Sequence, residues 1–218
     1  SSKVSTSSNW SNFDFCNQFL QTDDELKRAT FSLCKTLSDD NVVLSEIRFC
    51  PALHTFENLT VNDAVDAVVA GFREAKETLN IRGGVIICAL RSYPVEHTIE
   101  MAELAAAWLG KGVVGFDIAG DEGAFALDIH QSGIKEALRR NVPMTLHAGE
   151  WPENTVKNIQ LAVDLGTDRI GHGVTLCQDI KLMELVAAKG VTVECCLTSN
   201  VGWKVPSYAV HPIRNMFE

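Results

Sequence analysis

The chain has 218 residues, 46% hydrophobic and 22% charged, the balance of a soluble globular protein long enough to bury a sizeable core. Its formal net charge of −9 argues against nucleic acid or an anionic membrane surface as partner, because both select basic patches. No apolar run approaches the ~20 residues of a membrane span, and the polar, Ser-rich start does not read as a signal peptide.

Residues 1–12 read as loose. Leu26, Ala29, Thr30, Leu33 and Leu37 recur at helical spacing and predict a helix over 22–37. The β-branched run 42–50 predicts a strand, in which Glu46 and Arg48 share a face as an interior ion pair. Thr60 caps a long helix with Val61, Val65, Val68, Val69, Phe72 and Leu79 on one face. Strands at 84–90, 112–120, 142–149, 169–174 and 191–199 then alternate with helices at 96–109, 128–140, 153–165 and 179–189. His211-Pro212 opens a final helix.

This strand–helix rhythm implies a parallel sheet, and strands apolar on both faces agree with it. The polar residues gather at the carboxyl ends of the strands: Asp117, His147, Glu150, His172 and the Thr198-Ser199-Asn200 turn. That placement favours a TIM-type (β/α)8 barrel, whose site lies on that face, over a doubly wound sheet. Six strands are found where eight are needed, so the barrel reads as incomplete, a single partial domain over 1–218 with its first and last strands missing. Seven cysteines, mostly in apolar stretches and without Cys-x-x-Cys spacing, read as buried reduced thiols. They imply a reducing, cytoplasmic compartment.

His147 at a strand end suits a zinc ligand. Glu150, three residues on, suits a general acid if burial keeps it protonated. His172 is flanked by glycines and suits contact with substrate or a metal-bound water, while Gly120 can present a bare backbone N–H. Asp121 and Glu122 read as solvated acids of a turn, and His54, His97, His130 and His211 as surface or capping residues.

In this order, "SEIRFCPALHT", "DIAGDE", "LHAGE", "GHGV", "CLTSN" and "HPIRNMFE" closely resemble the adenosine deaminase family of the metal-dependent amidohydrolases, from about residue 13 to residue 218. The resemblance implies His147 as a zinc ligand and Glu150 as proton donor to the purine ring. It implies that His172 orients the zinc-bound water and takes its proton, that Gly120 gives its N–H to the purine, and that Asp117 supports them. It further implies one zinc per site, a small purine nucleoside as substrate, and conversion of adenosine to inosine and ammonia. No His-x-His occurs in these residues, and the Asp-Asp pair that the family carries on the strand following "HPIRNMFE" is not among them. The expectation is therefore a deaminase truncated at both ends, whose isolated chain binds zinc weakly or not at all and is inactive. Two alternatives stand beside it: a silent nucleoside- or partner-binding protein, and an amidohydrolase acting on adenine or N6-methyl-AMP. Oligomeric state is left open.

Overall fold

The computed structural model describes residues 6–217. Part of the stretch expected to be loose is helical, since α1 spans Thr6–Asn17; residues 1–5 lie outside the described residues. The chain divides into two compact units, residues 1–86 with 110–114, and residues 87–109 with 115–218.

The first unit is built on α2 (Asp23–Asp39) and α3 (Val61–Thr78). Both begin with a capping box: Thr22 and Glu25 satisfy each other's backbone N–H groups, as do Thr60 and Asp63. The helices approach closely at Gly71, where a β-carbon would meet the Lys27 carbonyl oxygen at 2.4 Å. Leu26, Thr30, Val65, Val68 and Phe72 of the predicted stripes are buried, but Ala29 and Leu33 are exposed and Cys34 takes an inward position of α2 instead. Strand β1 (Leu44–Phe49) meets the start of β2 (Arg82–Leu90), where the Arg82 N–H donates to the Val43 carbonyl.

The second unit contains α4 (Val95–Trp108), β3 (Val113–Ala119) from Gly115 onward, α5 (Gln131–Arg139), β4 (Thr145–Ala148) and α6 (Val156–Asp164). It continues through β5 (Arg169–His172), α7 (Ile180–Ala188), β6 (Thr192–Glu194), α8 (Leu197–Trp203) and α9 (Ile213–Phe217). Strands β4, β5 and β6 are parallel neighbours in that order. Phe116 of β3 bridges in parallel to Met144, just before β4. Ala148, Ile159, Val163, Ile170, Leu176, Leu182 and Val186 form a buried apolar core between these strands and the helices that cover them.

The fold is thus α/β with parallel strands, and among the described residues the strands do not close into a barrel. Several strands are shorter than their apolar runs suggest, β4 covering only Thr145–Ala148 of the expected 142–149. β5 stops at His172, which has a φ of +69°, and the chain turns away there. β6 can pair only with Arg169–Gly171, so its ladder ends at Glu194. The residues expected to extend it, 195–199, instead enter α8.

The cysteines are all free, with Cys34, Cys50 and Cys88 buried, Cys16 exposed, and the other three half-buried. The four histidines read as surface or capping residues are buried. His130, fully enclosed, is held by the Thr98 hydroxyl at 2.7 Å and the Arg91 carbonyl at 3.1 Å. Burial lowers the pKa of His54, His97, His130 and His211, which favours their neutral forms.

Candidate active site

The ends of β3, β4 and β5 bring the predicted residues together within the second unit. The register pairs His147 with Gly171 and Ala148 with His172. A β-carbon on residue 171 would meet the His147 ring at 3.3 Å, so glycine is what lets the imidazole lie across the neighbouring strand. The His147 and His172 rings then stand 5.0 Å apart at 54°.

His147 is fixed from behind. Asp117, fully buried, places one carboxylate oxygen 2.8 Å from His147 Nδ1 and the other 3.1 Å from its backbone N–H. A carboxylate can only accept, so Nδ1 carries a hydrogen, and in the neutral ring Nε2 presents a lone pair. Second-sphere carboxylates orient metal-binding histidines in this way. Asp117, given only a supporting part in the sequence, is the residue that sets this tautomer.

Glu150 lies just past β4, with Oε1 3.9 Å from His172 Nε2. Burial pushes its pKa up to about 7 and the nearby Glu122 charge adds to the rise, while His147, Lys204 and Arg91 pull the other way. A carboxyl that still holds its proton near neutral pH is what a general acid needs. His172 itself is buried, and its left-handed backbone conformation is uncommon outside glycine and marks a site held by its surroundings. Gly120 ends β3 with a φ of +114°, and a β-carbon there would sit 3.5 Å from the Arg91 backbone nitrogen.

Two residues of this region escaped the sequence reading. Glu122 is a buried clamp and not a solvated acid. Its carboxylate accepts from the backbone N–H groups of Gly149 and Glu150 at 2.8 Å each, from Trp151 at 3.3 Å, and from the Asn158 amide at 2.8 Å. It therefore holds the turn that carries Glu150. Its turn neighbour Asp121 accepts from the Ala124 N–H, as a turn acid should. Arg91, at 1% exposure, donates to the carbonyls of Phe125 and His147, tying the end of β2 to β4. Burial lowers its pKa, and the charges of Glu122, Asp117 and Glu150 oppose that. The one available signal was position: Arg91 directly follows the apolar run of β2. Nothing local marks Glu122, whose partners lie 27–36 residues away.

No group of three or more His, Cys, Asp and Glu side chains able to hold a metal occurs among the described residues. A catalytic zinc site normally uses about three protein ligands. His147 has the right second sphere for one of them, but these residues alone do not form a complete site.

Fold and site together define a parallel α/β protein whose ionisable groups converge at the carboxyl ends of its strands. The family model described as "Adenosine deaminase" matches residues 3–218. An adenosine deaminase from Clostridium kluyveri is 34% identical over 209 residues, covering 94% of this chain and 59% of the relative. Arabidopsis ADAL complexed with GMP is 25% identical with a TM-score of 0.84, covering 95% of this chain and 62% of that one. An amidohydrolase from Burkholderia ambifaria with bound Zn, 23% identical, shares the fold with a TM-score of 0.83, covering 90% of this chain and 56% of that one. The chain belongs to the adenosine deaminase family. It spans about three fifths of the length of the curated relative it matches.

Proposed function

We propose that this chain supplies the central strands of a (β/α)8-barrel enzyme that hydrolytically deaminates adenosine or a related purine, giving inosine and ammonia from adenosine. The observation that carries the reading is the meeting of His147, Glu150 and His172, with Glu150 kept protonated to about pH 7. Family membership, and a relative complexed with a purine nucleotide, support a small purine as ligand. The 34% identity to an adenosine deaminase favours adenosine over adenine or N6-methyl-AMP.

In this reading Glu150 donates its proton to ring nitrogen N1 of the purine, which makes C6 electrophilic. His172 orients the attacking water, and the backbone N–H of Gly120 pairs with the purine. A C6–O bond forms, one water proton passes to the departing amine and the other back to the Glu150 carboxylate, the C6–N bond breaks, and ammonia leaves. His147, held by Asp117, would be one of the ligands holding a zinc ion. The other ligands that the resemblance implies, two histidines of a His-x-His and an aspartate, are absent from these 218 residues. Zinc in a complete ligand set would supply a hydroxide near neutral pH.

The test is release of ammonia by the full-length protein from adenosine, adenine and N6-methyl-AMP. Turnover of adenosine supports the reading; preference for either other substrate reassigns it within the family, and no turnover of any of them overturns it. The missing ligand set favours a silent role for the 218 residues taken alone. Calorimetric titration with zinc checks that: the isolated chain should show no submicromolar stoichiometric site, and finding one would contradict it.

A further inference from the structure

A chain of hydrogen bonds runs behind His172 through residues that take no part in the proposed chemistry. The Ile213 backbone N–H donates to His211 Nδ1 at 3.1 Å. A backbone N–H can only donate, so His211 Nδ1 is an acceptor and its ring hydrogen sits on Nε2. His211 Nε2 lies 3.1 Å from Asn200 Oδ1, the atom able to accept from it. That settles the orientation of the Asn200 amide, which then turns its NH2 toward His172 Nδ1 at 2.9 Å. His172 Nδ1 must accept. His172, Asn200 and His211 are 5%, 1% and 6% exposed, so water offers little substitute for a lost partner.

We infer that Asn200 and His211 are positioning residues that fix neutral His172 as its Nε2–H tautomer, so that it meets the site as a hydrogen-bond donor. The direction is imposed by one backbone N–H and passed along three side chains. Reversing it would turn the Asn200 amide around and set its NH2 against the Nε2 hydrogen of His211. Moving that hydrogen to Nδ1 would only bring it against the Ile213 N–H. On the front side, His172 Nε2 faces Glu150 Oε1 at 3.9 Å. Within the deaminase reading, on which only this last step rests, His172 holds the attacking oxygen by donating to it. The proton-accepting part implied by the family resemblance requires the opposite tautomer.

The test is the nitrogen spectrum of the six histidines in the 218-residue chain labelled with 15N, at a pH where His172 is neutral. Its signals are assigned by their loss in His172→Gln. The two neutral tautomers differ in which ring nitrogen shows the protonated shift. We expect Nε2 protonated and Nδ1 unprotonated in the unmodified chain. Asn200→Asp replaces the amide donor with an acceptor and should move the hydrogen to Nδ1. His211→Phe removes the anchor and should leave a mixture. Finding Nδ1 protonated in the unmodified chain would overturn the inference, and that measurement needs no variant to fold. An unchanged tautomer in a folded Asn200→Asp chain would overturn it equally. No zinc, substrate or turnover enters the measurement, so a failed deaminase assay and a failed tautomer assignment are separate results.

Discussion

The helix pair of the first unit and the strand ends of the second handle polarity in opposite ways. Around α2 and α3 the helix starts are satisfied locally, by capping boxes within four residues, and the Lys27–Glu74 pair between the two helices stays exposed. At the strand ends, Arg91, Asp117, Glu122 and His172 are each at most 5% exposed, and their partners come from distant parts of the chain. Burying so many ionisable groups is costly unless each is paired. The first arrangement stabilises a helix. The second fixes a few side chains in one orientation and tautomer, which is what a reaction site needs.

The contrast can be broken experimentally. The largest effect should follow Glu150→Gln in the full-length protein, where loss of a general acid lowers kcat by roughly 10²- to 10⁴-fold. A change under threefold would remove Glu150 from the mechanism.

Next comes Glu122→Ala, which strips the acceptor from three backbone N–H groups and the Asn158 amide. Chemical denaturation should report a loss on the order of 3 kcal/mol or more. A loss below ~1 kcal/mol would mean that the turn satisfies itself without the clamp.

The pH dependence sharpens the comparison further. Burial raises the pKa of Glu150 in the folded chain to about 7, from the 4.5 of an ordinary glutamate. Between those values the native state holds a proton that the unfolded state has released, so stability falls as pH rises through that window and is level above it. The full penalty is on the order of 3 kcal/mol. Glu150→Gln abolishes it, so the variant should gain in Tm over the parent chain from pH 5 to pH 7.5. A parallel pH profile for the two proteins would place the carboxyl in water.

The smallest effect belongs to the helix pair. Thr60→Ala removes one cap and should cost about 1 kcal/mol, without altering the His172 nitrogen spectrum.

Much of this was legible in the sequence where the determinants are short-range. Helical spacing placed α2 and α3, and Thr60 announced its own cap. The apolar runs located all six strands. Glu150 and His172 stood out because each sits beside glycine at a strand end, His147 because it lies at a strand end two residues before Gly149, and motif order tied them to one family. Strand lengths were less legible, because the ladder of β6 is limited by where β5 turns at His172 and not by the residues of β6.

By itself, then, the sequence determined the alternation of elements, the family and the residues offered for chemistry, because periodicity, caps and motifs act over a few neighbours. Only the tertiary structure decided that Glu122 is a clamp, that Arg91 braces β4, that Asp117 sets one histidine, and that His211 acts through Asn200 on another. Each of those depends on a hydrogen-bond partner 11 to 56 residues away, and no local pattern encodes a partner brought close only by packing.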